Sequence, residues 1–103
     1  MTIVGITACP TGIAHTYMAA ERLEKAGKKM GLRVKIETQG AMGIENELTA
    51  EDIREAAAVI FAVGIPVRRK ERFEGKTIYE IGVQEAIKNA EAILLKIQNE
   101  LGR

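Results

Sequence analysis

The strongest constraint on this chain is a change of hydrophobic rhythm that takes place within a few residues. Thr2 to Ala8 is a continuous apolar and β-branched run, the pattern of a strand buried on both faces. Directly after Cys9-Pro10-Thr11-Gly12 the period becomes helical: Ala19, Leu23, Ala26 and Met30 fall on one face of a helix from about Ile13 to Met30, and Gly31 is placed to stop it. The alternation then repeats. Arg33 to Thr38 is a second strand, and Gln39 to Glu47 a glycine-containing loop of functional length. Thr49 followed by Asp52 is a capping box that opens a short helix turning Ile53 and Ala57 inward. Ala58 to Val63 is a third strand. A polar connection, Gly64 to Gly75, holds one helical turn near Arg72 and leads to a fourth strand, Thr77 to Ile81. A last helix, Val83 to Leu101, carries the stripe Ile87, Ala90, Leu94, Ile97 and Leu101.

Strands alternating with helices imply parallel pairing through right-handed crossovers. The expected fold is α/β: a single domain over residues 1–103 with a four-stranded parallel sheet in the order 2-1-3-4, helices on both faces, a Rossmann-like three-layer sandwich. In such sheets ligands sit beyond the carboxyl ends of the strands, near the place where the strand order switches. The first strand leads to that place, and Cys9 is the first residue past its end.

Composition narrows the function. Fifteen basic residues face fourteen acidic ones, for a formal net charge of +1, and only 4 % of residues are aromatic, so neither the basic face nor the stacking surface of a nucleic-acid binder is present. A single cysteine excludes an internal disulfide, and one cysteine with one histidine does not build a zinc site, so no metal and no cofactor is expected. A lone thiol suits a reducing compartment, and the N-terminus carries no secretory pattern, so a cytoplasmic location is expected. The longest apolar run, Ala56 to Val67, falls short of the ~20 residues that a membrane helix needs. Work at a membrane therefore requires a partner that holds the chain there.

The segment Cys9-Pro10-Thr11-Gly12-Ile13-Ala14-His15-Thr16 carries the chemistry. A thiol at the mouth of a tight loop that becomes a helix faces main-chain amides without intrahelical partners and the positive end of the helix dipole. Gly12 gives backbone freedom, Pro10 gives shape without a donor, and the hydroxyls of Thr11 and Thr16 add donors. Such surroundings lower a cysteine pKa from about 8.5 and hold the oxygens of a phosphoryl group bonded to sulfur. The plainer possibility is a structural cysteine buried at the end of a strand. His15 either touches the phosphoryl group or braces the loop. Gln39, Gly40 and Gly43 either serve partner docking or form an ordinary glycine turn. Arg68, Arg69, Lys70 and Arg72 either attract a negatively charged partner or make a solvated loop. Met18 and Met30 are assigned to the core.

The octapeptide resembles the phosphocysteine loop of the fructose-type IIB component of the bacterial phosphoenolpyruvate-dependent sugar phosphotransferase system. Glu37-Thr38-Gln39-Gly40, Gly43-Ile44-Glu45-Asn46-Glu47-Leu48-Thr49 and Glu71-Arg72-Phe73-Glu74-Gly75-Lys76 resemble that family too, and together the likeness spans nearly the whole chain. Gly64 stands where the likeness leads one to expect an acidic residue, so no role is carried over at that position. The resemblance implies a relay. A phosphohistidine on a IIA protein or domain donates to Cys9, and phospho-Cys9 donates to fructose or a related hexose held by the membrane-embedded IIC component. The rival enzyme is a cysteine phosphatase of the Cys-x5-Arg type, since His15 and Thr16 occupy the arginine and hydroxyl positions of that loop. A thiol redox protein and a pure interaction module also compete; the first lacks a second cysteine, and the second predicts that Cys9→Ser is silent.

Overall fold

The structure is a computed structural model and describes residues 1–9, 13–40 and 43–102. Strand β1 (Thr2–Ala8) leads to helix α1 (Ile13–Lys29), then come β2 (Arg33–Gly40), β3 (Gly43–Glu45), α2 (Ala50–Glu55), β4 (Ala58–Val63), a 3-10 turn (Lys70–Phe73), β5 (Ile78–Ile81), α3 (Val83–Lys88) and α4 (Ala90–Glu100). They form a five-stranded sheet in the order β3-β2-β1-β4-β5. The four long strands are parallel and stand in the order that the alternation of strands and helices predicts. The expectation of a purely parallel four-stranded sheet is corrected by β3, which pairs antiparallel with β2. The loop expected over Gln39 to Glu47 is thus largely a hairpin: β2 runs on to Gly40, and Gly43 takes φ +95° to begin the return.

β1 is central because both of its edges are paired, with β2 from Thr2↔Arg33 to Thr7↔Thr38 and with β4 from Ile3↔Ala58 to Ala8↔Val63. Its side chains alternate between two cores. Ile3 joins the larger one beneath α1, α3 and α4, with Leu23, Ile36, Ile60, Leu94 and Ile97. Val4 and Ile6 join the smaller one beneath α2 and the 3-10 turn, with Ile53, Val59, Phe61 and Phe73.

The α1 stripe behaves as its spacing dictates, with Ala19, Leu23 and Ala26 buried and Met30 packed at the margin. The helix ends in a Schellman arrangement. Gly31 takes φ +78° and donates to the Lys28 carbonyl, while Leu32 N donates to the Gly27 carbonyl at 2.8 Å. Three expectations are corrected. Ala57 lies past the end of α2 and is exposed; Ala56 is the buried residue. Met18 is 38 % exposed because it falls off the α1 stripe. The last helix is broken at Asn89 into α3 and α4, each packing its own apolar side on α1 and the sheet.

Gly5 marks the tightest point of β1. A Cβ there would sit 2.8 Å from the Ile60 carbonyl oxygen and 2.9 Å from Ile36 Cδ1. The carbonyl belongs to the neighbouring strand and cannot swing away. Gly5→Ala is therefore expected to lower the unfolding free energy by about 1–3 kcal/mol, the usual cost of overpacking, as read from urea denaturation.

Candidate functional site

Cys9 follows the last residue of β1 and lies half-buried against the larger core, on the α1 side of the sheet. α1 opens at Ile13, with Pro10, Thr11 and Gly12, which lie outside the described residues, in between. A helix of seventeen residues therefore begins four positions after Cys9, and the amides of its first turn have no intrahelical acceptors. Ala14 is exposed and His15 half-buried. Thr16 is only 2 % exposed. Its carbonyl accepts from Thr7 Oγ1 at 3.0 Å, which ties the start of α1 to β1. Among the described residues Thr16 Oγ1 has no hydrogen-bond partner although it is buried, a state that native proteins seldom tolerate without a reason.

Two more segments reach this edge of the sheet. The β2–β3 hairpin is joined to α1 by the hydrogen bond from the Tyr17 hydroxyl to the Glu45 carboxylate, which raises the tyrosine pKa. Asn46, at φ +54°, donates from Nδ2 to the Ile36 carbonyl at 2.9 Å, and Glu24 accepts from Ile36 N at 2.8 Å. These side chains cover the part of β2 that β3 is too short to pair.

The third segment is the connection after β4, and here sequence reasoning missed the central feature. Glu37 is fully buried, yet it is ionised. Burial pushes its carboxyl pKa up, but hydrogen bonds from Arg72, Gln39 and the Leu48 amide together outweigh burial and hold it below the ordinary carboxylate value. Arg72 grips both oxygens, Nη1 to Oε1 at 2.9 Å and Nη2 to Oε2 at 3.0 Å. Gln39 Nε2 donates to Oε2 at 2.7 Å, and Leu48 N donates to Oε1 at 2.9 Å. The Arg72 guanidinium also lies 4.9 Å above the Phe73 ring, and Phe73 meets Phe61 edge-on at 5.4 Å. The one sequence signal was a pair of polar residues, Glu37 and Gln39, on the same face of a strand otherwise made for burial.

Gln39 is 1 % exposed, and its side-chain amide is engaged inside the fold. Its Oε1 accepts from Arg68 N at 2.8 Å and its Nε2 donates to the Arg68 carbonyl at 3.1 Å. Gly40 and Gly43 are half-buried at the hairpin. Arg68 and Arg69 are exposed; Arg69 pairs with Glu47, while Arg68 has no ion-pair partner among the described residues. Arg72, expected within a solvated basic run, is instead the partner of Glu37.

Asp52, the only aspartate in the chain, is the residue that a phosphatase reading would need as an acid. It is spent on structure. Lys35 Nζ lies 2.7 Å from Oδ2, and Thr49 and Asp52 exchange the two bonds of a capping box. The Lys35 contact first, then the Thr49 amide, lowers its pKa from 3.8 to about 2. A carboxyl held ionised in this way has no proton to give a leaving group. Among the described residues no group of three histidine, cysteine or acidic side chains is gathered to hold a metal, and no helix is long and apolar enough to cross a membrane.

A doubly covered, mainly parallel sheet with a cysteine just past the carboxyl end of its central strand places this chain among small α/β proteins of doubly wound type. Comparison with known proteins makes the assignment particular. The sequence model of the family described as "PTS system, Lactose/Cellobiose specific IIB subunit" matches residues 4–96. The chain is 52 % identical over 101 residues to the PTS system fructose-like EIIB component 2 of Escherichia coli, covering 98 % of this chain and 95 % of that one. The solution structure of an Enzyme IIB subunit of the PTS system from E. coli superposes with a TM-score of 0.91 at 49 % identity, covering 97 % of this chain and 93 % of that one. A crystal structure of a domain from a fructose-specific IIABC component of Borrelia burgdorferi gives a TM-score of 0.88 at 47 % identity, covering 95 % and 93 %. The chain belongs to the IIB family of the phosphotransferase system, and is thus a phosphotransferase component and a phosphoryl carrier of sugar uptake.

Two outcomes follow from these electrostatics. Glu37→Ala leaves the Arg72 charge half-buried without its carboxylate, and is expected to cost about 3–5 kcal/mol in denaturant unfolding at neutral pH. Asp52, with its folded pKa depressed, adds stability at pH values above its unfolded pKa, and that contribution fades as pH falls from about 4 towards about 2. Asp52→Asn is therefore expected to unfold more easily at pH 7 and to show a shallower loss of stability across that acid range, measured by denaturant midpoints against pH.

Proposed function

We propose that Cys9 is the residue that carries the phosphoryl group, taking it from a phosphohistidine of a IIA protein or domain and giving it to fructose or a related hexose bound by the membrane component IIC. The observation that carries this reading is the position of Cys9: first past the end of the central strand, at the sheet's carboxyl edge, and just ahead of a long helix. The thiolate sulfur attacks phosphorus, the S–P bond forms as the P–N bond breaks, and the departing imidazole takes up a proton. A sugar hydroxyl then attacks the same phosphorus. The S–P bond breaks, sulfur leaves as thiolate, and the hydroxyl proton passes to a base on the IIC side. The positive end of α1 and the amides of its first turn favour both the thiolate and the phosphoryl dianion.

Pro10, Thr11, Gly12, Ile13, Ala14, His15 and Thr16 form the phosphate-binding loop in this reading. The buried hydroxyl of Thr16 is the described side chain with hydrogen-bonding capacity to spare. The fructose-like names of relatives at about half identity support fructose or a related hexose over the lactose and cellobiose named in the family's description. Membrane association then comes through IIC, and a cytoplasmic position suits both partners.

Incubation with phosphoenolpyruvate and the upstream relay proteins, followed by mass-spectrometric mapping at neutral pH, is expected to place the phosphoryl group on Cys9 and to find none on Cys9→Ser. A phosphoryl group on His15, or labelling of Cys9→Ser, would overturn the assignment. With an aryl phosphate as sole substrate no turnover is expected, whereas a phosphatase would hydrolyse it.

A further inference from the structure

The connection after β4 crosses the end of β1. Gly64 N donates to the Ala8 carbonyl at 2.8 Å, which places the start of the connection on the β4 flank of β1. By Arg68 the chain is on the other flank, because both main-chain groups of Arg68 are bound by the Gln39 amide of β2. The register that pairs Thr7 with Thr38 sets Gln39 level with Ala8, the residue before Cys9. Val67 packs into the smaller core, on the face away from α1. Residues 64–68 thus form a strap past the carboxyl end of β1, opposite α1, and Cys9 leaves the sheet between the two.

Glu37 fixes the far end of the strap. Its grip on Arg72, and the Arg72 Nη2 bond to the Arg68 carbonyl at 3.3 Å, lock the residues that follow the crossing. This arrangement also sorts the arginines. Arg72 and Arg69 are neutralised by Glu37 and Glu47. Arg68 is exposed, its main chain is pinned, and its guanidinium has no ion-pair partner among the described residues.

We infer that Glu37 and Gln39 are positioning residues that latch this strap, so that Arg68 stands at the edge of the sheet from which Cys9 emerges and meets the face of the phosphorylated donor protein that bears the phosphoryl dianion. The inference rests on the phosphoryl relay proposed above. A pinned backbone spares the complex the cost of ordering that segment, and an unpaired cation facing a dianion speeds encounter in a salt-dependent way.

The test is the rate of phosphoryl transfer to Cys9 from phosphorylated IIA, measured against donor concentration at several salt concentrations. Arg68→Glu is expected to raise the half-saturating donor concentration about tenfold, to leave the saturating rate within about twofold, and to flatten the salt dependence. Gln39→Leu, which frees the strap while keeping the Arg68 charge, is expected to shift the same constant in the same direction by a smaller factor. Lys96→Glu on the exposed side of α4 makes an equal change of net charge and is expected to shift nothing. A half-saturation constant untouched by Arg68→Glu, or moved as far by Lys96→Glu, overturns the inference while the relay stands. A wild-type chain that never gains phosphate on Cys9 overturns the relay, and the strap's role with it.

Discussion

One buried carboxylate gathers the carboxyl edge of this sheet. Glu37 lies on β2, and its partners come from the strand itself, from the segment that follows β3 and from the 3-10 turn before β5. A buried ion pair adds little net stability, because desolvating two charges cancels most of their attraction. Its force lies in the asymmetry: once one charge is buried, the fold that supplies the other is strongly preferred over any that does not. A bidentate arginine and two further hydrogen bonds to the carboxylate leave few ways to arrange the residues around it.

That constraint explains two motifs that lie away from Cys9. In the stretch Gly43 to Thr49, Gly43 turns the hairpin, Asn46 covers the open edge of β2, Leu48 donates to Glu37, and Thr49 caps α2. In the stretch Glu71 to Lys76, Arg72 reaches Glu37, Phe73 fills the smaller core, Gly75 takes φ +85°, and Lys76 Nζ bonds the carbonyls of Arg54 and Ala56. These two stretches therefore act as scaffold. This scaffold holds the hairpin, the start of α1 and the connection after β4 at one end of the sheet.

The ladder on both sides of β1 does the complementary work. Paired from Thr2 through Ala8, the strand delivers Cys9 at a fixed height, and the bond from Thr7 to the Thr16 carbonyl ties that height to the first turn of α1. Cys9 is half-buried and packed against the larger core.

The sequence by itself determined the alternation of strands and helices, the order of the parallel strands and the place of Cys9 at the end of the first of them. These follow from local periodicity and from the handedness of crossovers, and both are written in neighbouring residues. The Thr49–Asp52 cap and the Gly31 stop were legible for the same reason, since each closes within a few residues. The tertiary structure alone decided that Arg72 is inside and Arg68 outside, that Gln39 holds main chain, and that the glycine loop is a hairpin. Arg72 meets Glu37 across 35 positions of sequence, and no local pattern separates one arginine of a basic run from the next. Burial of a charge is settled by the partner that arrives from elsewhere in the chain, so it can be read only once the chain has folded.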